Sequence, residues 1–330
     1  MPERNPDRIC AAFVDMGTTN TRAWLMCGNQ VIAETTQSTG IRDAARQGQS
    51  AIRECLSRVV RTLQNHPAAA SKQPGYLVGA GMIGSNLGLV EVPYIHPPAG
   101  LEDLAAAARW YHFPEVLDVP VLLAPGIRSG PPDPAVDSIS QMDVMRGEET
   151  LCAGLLAIGA IAAPTVVINL GSHWKAIQIG HDKKIQSSST SLSGELLHVV
   201  QSHTILAGSV ARERPQKFSW EWIQAGMREQ RRSGVGRGLF CTRLLHLASQ
   251  GSPEDRLAFV AGALIASDLD SLLARGILAQ HAQIAVVGHA AISAAWQMAL
   301  SQADITATII SPEQAQTALL EALMHILVQA

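Results

Sequence analysis

Two stretches of this 330-residue chain, 154 residues apart, carry the same pattern. Asp15-Met16-Gly17-Thr18 and Asn169-Leu170-Gly171-Ser172 each follow an apolar run, Ile9–Val14 in one case and Thr165–Ile168 in the other. Each is then followed by a second run in which apolar residues alternate. At the same offset Ala23 meets Ile177, Leu25 meets Ile179 and Val31 meets Ile185. Apolar run, polar–x–Gly–hydroxyl, apolar run describes two antiparallel strands joined by a tight turn. A chain that carries this unit twice is expected to fold as two similar halves.

The elements around the two turns support that reading. In the first half the spacing predicts strands at 9–14, 23–27, 31–34, 76–78 and 119–123, with helices at 49–63 and 101–109. In the second it predicts strands at 165–170, 176–179, 184–186, 284–287 and 305–310. Helices are expected there at 151–161, 194–201, 220–229, 239–248, 253–274, 291–300 and 313–328. Each half thus runs strand-strand-strand and then alternates helix with strand, which defines an α/β protein with mixed sheets. Residues 125–138 are rich in Pro, Gly, Ser and Asp and form the candidate linker. The expected domains are therefore 1–138 and 139–330.

Composition excludes several classes. A net charge of −3 leaves no basic surface to attract nucleic acid. Residues 150–174 carry no Asp, Glu, Lys or Arg, but Pro164 divides them, so a buried helix and a buried strand fit better than a membrane span. Met1 to Arg8 is polar and lacks the apolar core of a signal peptide. The five cysteines, Cys10, Cys27, Cys55, Cys152 and Cys241, are scattered without a Cys-x-x-Cys pair. Reduced thiols in a cytoplasmic protein are the expectation.

The turns carry the chemistry. Gly17 lets backbone approach a ligand, and Thr18, Thr19 and the turn N–H groups can hold phosphate oxygens. Asp15, at the end of a buried strand, is placed to hold a metal directly or through water. The same residues would also make an ordinary Thr-rich hairpin, and both readings stand at this point.

The whole set of motifs resembles the 2-dehydro-3-deoxygalactonokinase family of bacterial sugar-acid kinases. The matching stretches are Asp15–Trp24, Ala80-Gly-Met-Ile-Gly-Ser-Asn86, Val144-Met-Arg-Gly-Glu-Glu-Thr150, Gly171-Ser-His-Trp-Lys175 and Ser193-Gly-Glu-Leu196. The resemblance implies a two-lobed actin-like ATPase (ribonuclease H-like) fold, with duplicated domains around a nucleotide cleft. It also implies ATP-dependent phosphorylation of 2-dehydro-3-deoxy-D-galactonate at its 6-hydroxyl, with ATP and Mg2+, in galactonate or galactose breakdown. The sequence departs from the family pattern at Met16, where tryptophan is usual, at Leu170 and Ser172, usually Pro and Thr, and in the order Trp174-Lys175. Two alternatives follow: a kinase for a related acid such as 2-dehydro-3-deoxygluconate, or a nucleotide-binding regulator without catalysis.

The resemblance also assigns roles. Related sugar kinases carry their catalytic acid after a glycine, at the start of the helix before the second phosphate turn. Gly147-Glu148-Glu149 stands there, so Glu148 is the preferred base and Glu149 the alternative. Asp15 takes the metal. Gly17, Thr18 and Thr19 on one side, and Gly171 and Ser172 on the other, hold phosphate, with Gly288 at the nucleotide. The sugar acid falls to Asn20, Gly84, Ser85, Asn86 and His173. Arg22, Arg146 and Lys175 are the cations open to its carboxylate. The partners are then a small sugar acid and ATP, with no nucleic acid and no membrane; a homodimer is left open.

Overall fold

A computed structural model describes residues 9–43, 48–278 and 283–330. The segment read for a leader, residues 1–8, lies outside them. The chain divides into two compact units, Met1–Ala160 with Lys183–Ser187 and Glu313–Ala330, and Ile161–Asp182 with Ser188–Pro312.

The first unit contains β1 (Cys10–Met16), β2 (Thr21–Cys27), β3 (Gln30–Gln37), α1 (Ser50–Gln64), β4 (Tyr76–Gly81), α2 (Leu101–Ala107), β5 (Arg109–Phe113), β6 (Leu117–Leu123), β7 (Ile127–Ser129), β8 (Asp143–Met145) and α3 (Glu148–Ala157). Its main sheet has the order β3-β2-β1-β4-β6-β5. β1 lies inside the sheet, antiparallel to β2 and parallel to β4, which is why Ala11 to Val14 read as an unbroken apolar run and are fully buried. The apolar stripe of α1, from Ile52 to Leu63, covers one face and joins Val14, Leu25, Leu77 and Val121 in a single core.

The second unit holds β9 (Thr165–Leu170), β10 (Trp174–Ile179) and β11 (Ile185–Ser191), whose first residues belong to the first unit. There follow α4 (Ser193–Ser202), α5 (Trp220–Ser233), α6 (Val235–Leu247), α7 (Pro253–Ala274), β12 (Ile284–Gly288), α8 (Ala290–Ser301) and β13 (Ala307–Ile309). α9 (Pro312–Gln329) returns to the first unit, where Gly154 of α3 packs on Ala318. The sheet order is β11-β10-β9-β12-β13, with β9 antiparallel to β10 and parallel to β12. This repeats β3-β2-β1-β4-β6, so the duplication is real at the level of topology. Helix α7 is long and apolar enough to cross a membrane, yet two-thirds of its apolar window is buried in this unit's core.

The register corrects the repeat in one respect. Asp15 pairs with Arg22 while Asn169 pairs with Lys175, and Val14 pairs with Ala23 while Ile168 pairs with Ala176. Beyond the turns the offset is therefore 153, and Ala23 corresponds to Ala176 rather than Ile177. The first turn spans residues 17–20, whereas the second spans only 171–173. A one-residue difference must be absorbed in the turn, because in a strand it would exchange the two faces of the sheet.

Other expectations also shift. The division between units does not fall at 138–139. β8 pairs with β7, α3 packs on α9, and Lys183–Ser187 joins the first unit through the Ala99–Ile185 bridge and the Lys184–Asp103 ion pair (2.8 Å). The expectation of reduced thiols fails for one pair. Antiparallel pairing sets Cys10 opposite Cys27, Cα atoms 4.1 Å apart, and the two form a disulfide. Cys55, Cys152 and Cys241 are free. The helix expected over 101–109 ends at Ala107, and residues 109–113, of which only Arg109 falls in an expected element, form the edge strand β5, where Trp110, Tyr111 and Phe113 are aromatic, as strands favour.

Candidate active site

In the first unit, four pieces of chain converge on Asp15. The hairpin turn closes with Gly17 N donating to Asn20 O at 2.8 Å, and the segment after β3 braces it through Ile41 N to Gly17 O and Arg42 N to Thr18 O. Thr18 and Thr19 remain partly exposed at its tip; Asn20 is exposed and donates to Thr19 Oγ1 at 3.2 Å. Asp15 is half-buried, and its Oδ2 accepts from Arg22 Nη2 at 2.6 Å. The two residues are direct cross-strand partners, so the register that places Asp15 at the strand end also supplies its counter-ion. Sequence reading separated them into a metal ligand and a carboxylate binder; the structure joins them.

Two glycines bring the other pieces in. A Cβ on Gly81 (φ +80°) would stand 2.5 Å from Met16 O and 3.2 Å from Asp15 Oδ1. A Cβ on Gly147 (φ +109°) would stand 3.2 Å from Gly81 Cα and 3.8 Å from Asp15 Oδ1. Only glycine allows both this approach and these left-handed conformations. Both residues stand inside the motifs Ala80–Asn86 and Val144–Thr150, and the residue pattern alone gives them no role. The signal was there, since each directly precedes a segment singled out for chemistry. After Gly81 comes the turn with Gly84, Ser85 and Asn86. Ser85 is buried and donates to Met82 O at 2.7 Å; Asn86 is exposed.

After Gly147 comes α3, and its two leading acids differ sharply. Glu149 is buried, and both its oxygens accept the Gly147 N–H, at 2.7 and 2.9 Å. Burial, reinforced by the neighbouring charge of Glu148, pushes its carboxyl up to about 7. Glu148 is only half-buried, and its Oε2 accepts the Arg146 N–H at 3.1 Å. Both acids sit where a helix N-terminus favours negative charge, but only Glu148 is open to solvent. Arg146 is buried, with its guanidinium 4.0 Å from the Tyr94 ring centroid.

In the second unit, the turn Gly171-Ser172-His173 rests on the start of α4. A Cβ on Gly194 would stand 2.3 Å from Gly171 O and 2.6 Å from Ser172 O. His173 Nε2 lies 3.4 Å from Glu195 Oε2 on the first turn of that helix. Asp268 fixes the junction from below, accepting from Ser191 Oγ at 2.5 Å and Ser193 Oγ at 3.0 Å, and its own burial raises its pKa. Sequence reading missed Asp268, whose one signal is an acid inside an apolar helix. Lys175 is buried with Nζ donating to Thr190 Oγ1 at 2.8 Å. Trp174 packs edge-on against Trp296 in the core. Gly288 pairs with Leu170 at the end of β12, beside the second turn. At the end of α5, Arg231 pairs with Asp270 at 2.8 Å and Arg232 with Glu229.

Magnesium chemistry fits these residues in a limited way. No group of three or more His, Cys, Asp or Glu side chains able to hold a metal occurs among the described residues. Mg2+ in phosphoryl-transfer sites needs only one or two carboxylates, with phosphate and water completing the shell. Asp15 meets that smaller demand.

Comparison with known proteins places the chain in a family. The family model described as 2-keto-3-deoxy-galactonokinase matches residues 15–326. The 2-dehydro-3-deoxygalactonokinase of Escherichia coli (strain K12) is 26% identical over 94% of this chain and 96% of its own length. A probable 2-dehydro-3-deoxygalactonokinase of Rhizobium meliloti (strain 1021) is 30% identical over 80% of each chain. A solved Sinorhizobium meliloti protein, described as a candidate for the same activity, superposes with a TM-score of 0.74 at 26% identity, covering 94% of this chain and 95% of that one. The ADPNP-bound activator of 2-hydroxyisocaproyl-CoA dehydratase from Clostridium difficile, 14% identical with a TM-score of 0.52 over 96% of this chain and 94% of that one, shares the fold alone.

Proposed function

The chain belongs to the 2-keto-3-deoxy-galactonokinase family, and from that premise we propose how its residues phosphorylate 2-dehydro-3-deoxy-D-galactonate on the 6-hydroxyl with ATP. The fold is that of the actin-like ATPases, and the enzyme is a sugar-acid kinase of galactonate breakdown. One observation carries the assignment of residues: Asp15, Gly81, Gly147 and the start of α3 meet in one place, although they are distant in sequence.

Glu148 is the general base. It follows Gly147 directly and is the solvent-reachable member of its pair. An ionised carboxylate there accepts the hydroxyl proton as the oxygen attacks the γ-phosphorus, a contribution of about 10²–10⁴ in rate. Glu149 shapes the helix start and takes no proton from substrate. Gly17, Thr18 and Thr19 donate to phosphate oxygens from the first turn, and Gly171 and Ser172 do so from the second. Gly288 leaves room for the nucleotide beside the second turn. Asp15 holds Mg2+, which neutralises phosphate charge. Asn20, Gly84, Ser85 and Asn86 contact the sugar acid. His173 and Lys175 have weaker support, because their polar ends are engaged by Glu195 and Thr190. Arg22 is committed to Asp15.

We place the enzyme in the cytoplasm, where ATP is made; the Cys10–Cys27 disulfide is the observation that stands against it. Its partners are the two small substrates, without nucleic acid or membrane.

The test is ADP release from Mg-ATP over a panel of 2-keto-3-deoxy acids that includes the galactonate and gluconate epimers. Turnover with the galactonate epimer at the highest kcat/KM is expected. Preference for the gluconate epimer would reassign the substrate. ATP binding without ADP from any acid would indicate a regulator.

A further inference from the structure

Arg146 is the most unusual charge in the first unit. The residue is 8% exposed, and its guanidinium carbon lies over the Tyr94 ring, 4.0 Å from the centroid. Of its three nitrogens only Nη2 has a protein acceptor, the Val92 carbonyl at 2.5 Å. Nε and Nη1 are buried without a hydrogen-bond partner. The two acids that follow it do not satisfy those nitrogens. Glu149 takes the Gly147 N–H, and Glu148 takes the main-chain N–H of Arg146. An aromatic face stabilises a cation but leaves its in-plane donors unused. A permanently charged group held out of water with free donors is costly unless an anion reaches it.

The free donors have a direction. Nη1 lies 3.4 Å from where a Cβ on Gly84 would stand, a position also 3.3 Å from Val92 Cγ2 and 3.5 Å from Ala124 O, so Nη1 is the polar donor nearest to the missing side chain of residue 84. Gly84 opens the Gly84-Ser85-Asn86 turn, and Gly147-Glu148 follows Arg146 in the chain. The cation, the glycine turn and the base are thus contiguous pieces of one unit. The other cations named for the substrate are engaged elsewhere: Arg22 with Asp15, and Lys175 with Thr190.

We propose that Arg146 is the carboxylate anchor of the sugar-acid site, receiving the C1 carboxylate at Nη1 on the Gly84 side, and that it sets the preference for acids over neutral sugars. The inference rests on the kinase reading above. Arginine suits the task because it stays charged when buried and presents fixed donors to a planar carboxylate. A charge-assisted hydrogen bond of this type corresponds to about 10–100-fold in affinity.

The experiment compares the 2-keto-3-deoxy acid with its C1 amide, which keeps the shape and loses the charge. Arg146→Gln should lower kcat/KM for the acid about 10–100-fold and change it for the amide by less than about 3-fold. Equal losses on both compounds, in a variant that unfolds at the wild-type temperature, would make Arg146 a purely structural group and overturn the proposal. If Arg146→Gln does not fold, Gly84→Ala decides. Its methyl stands against Nη1 with the guanidinium intact, and it should raise KM for the acid more than for the amide. Equal effects there overturn the proposal too. Calorimetric titration of wild type with the acid in the absence of ATP separates the two readings. Binding of the acid but not the amide, together with no ADP release once Mg-ATP is supplied in a separate assay, removes the kinase assignment and leaves the anchor. Equal turnover of acid and amide removes the anchor and leaves the kinase.

Discussion

Replacing Glu149 by glutamine should make the protein more stable in alkaline solution and leave it nearly unchanged in acid. The buried carboxyl has its pKa raised from 4.5 to about 7, first by burial and second by the charge of Glu148. Holding the proton from pH 4.5 up to about pH 7 corresponds to about 3 kcal/mol. The sign follows from where protons sit. Below pH 4.5 the group is protonated in both folded and unfolded chains, and it contributes nothing. Between 4.5 and 7 the unfolded chain releases the proton and the folded one keeps it, so stability falls as pH rises. Above 7 the whole cost is present. Glutamine has the shape of the protonated acid, its carbonyl can accept the Gly147 N–H, and it does not titrate. Urea denaturation of both proteins at pH 5, 6, 7 and 8 measures the effect. The stability difference between variant and wild type should grow by about 2.5 kcal/mol from pH 5 to pH 8 in favour of the variant, since part of the cost is already present at pH 5. Every group other than Glu149 and its coupled neighbour cancels in that comparison. A difference that does not change with pH, or one that turns against the variant at pH 8, would refute the account of Glu149 as an acid held neutral by burial.

Glu148→Gln should lower kcat by about 10²–10⁴ while KM for ATP moves less than about 3-fold; steady-state kinetics that retain wild-type kcat would move the base elsewhere. Asp15→Asn should raise the Mg2+ concentration needed for half-maximal rate by about 10-fold or more, since phosphoryl-transfer sites rest on so few protein carboxylates; an unchanged Mg2+ dependence would take Asp15 off the metal. Asp268→Ala leaves the Ser191 and Ser193 hydroxyls without their acceptor, at a cost of about 1–3 kcal/mol by thermal denaturation. Because the same junction carries Gly194 against the second turn, KM for ATP should rise in that variant more than KM for the sugar acid.

Most elements were legible because their signals are local. The apolar run before Asp15, the helical stripe from Ile52 to Leu63 and the span 253–274 are periodic within a few turns or a few strand residues, and each forms the element expected. The paired polar–x–Gly–hydroxyl turns announced the duplication, and the strand orders confirm it. The division into units was less legible, because a Pro- and Gly-rich stretch marks an irregular connection and not the boundary between packed bodies. Residues 139–160 belong with the first unit because β8 pairs with β7, inside that very stretch, and α3 packs on α9, which lies far away in sequence.

The sequence by itself determined the two hairpins, the class of fold and the set of side chains able to do the chemistry, since these depend on residue types at short spacing. Only the tertiary structure decided which of those side chains are free to act. The β1–β2 register ties Arg22 to Asp15, and β11 places Thr190 within reach of Lys175. Packing around α3 buries Glu149 and leaves Glu148 open, and packing around Tyr94 buries Arg146 with two donors unused. Burial and long-range pairing set the charge state and the spare valence of each group, and neither is a property of residues adjacent in the chain.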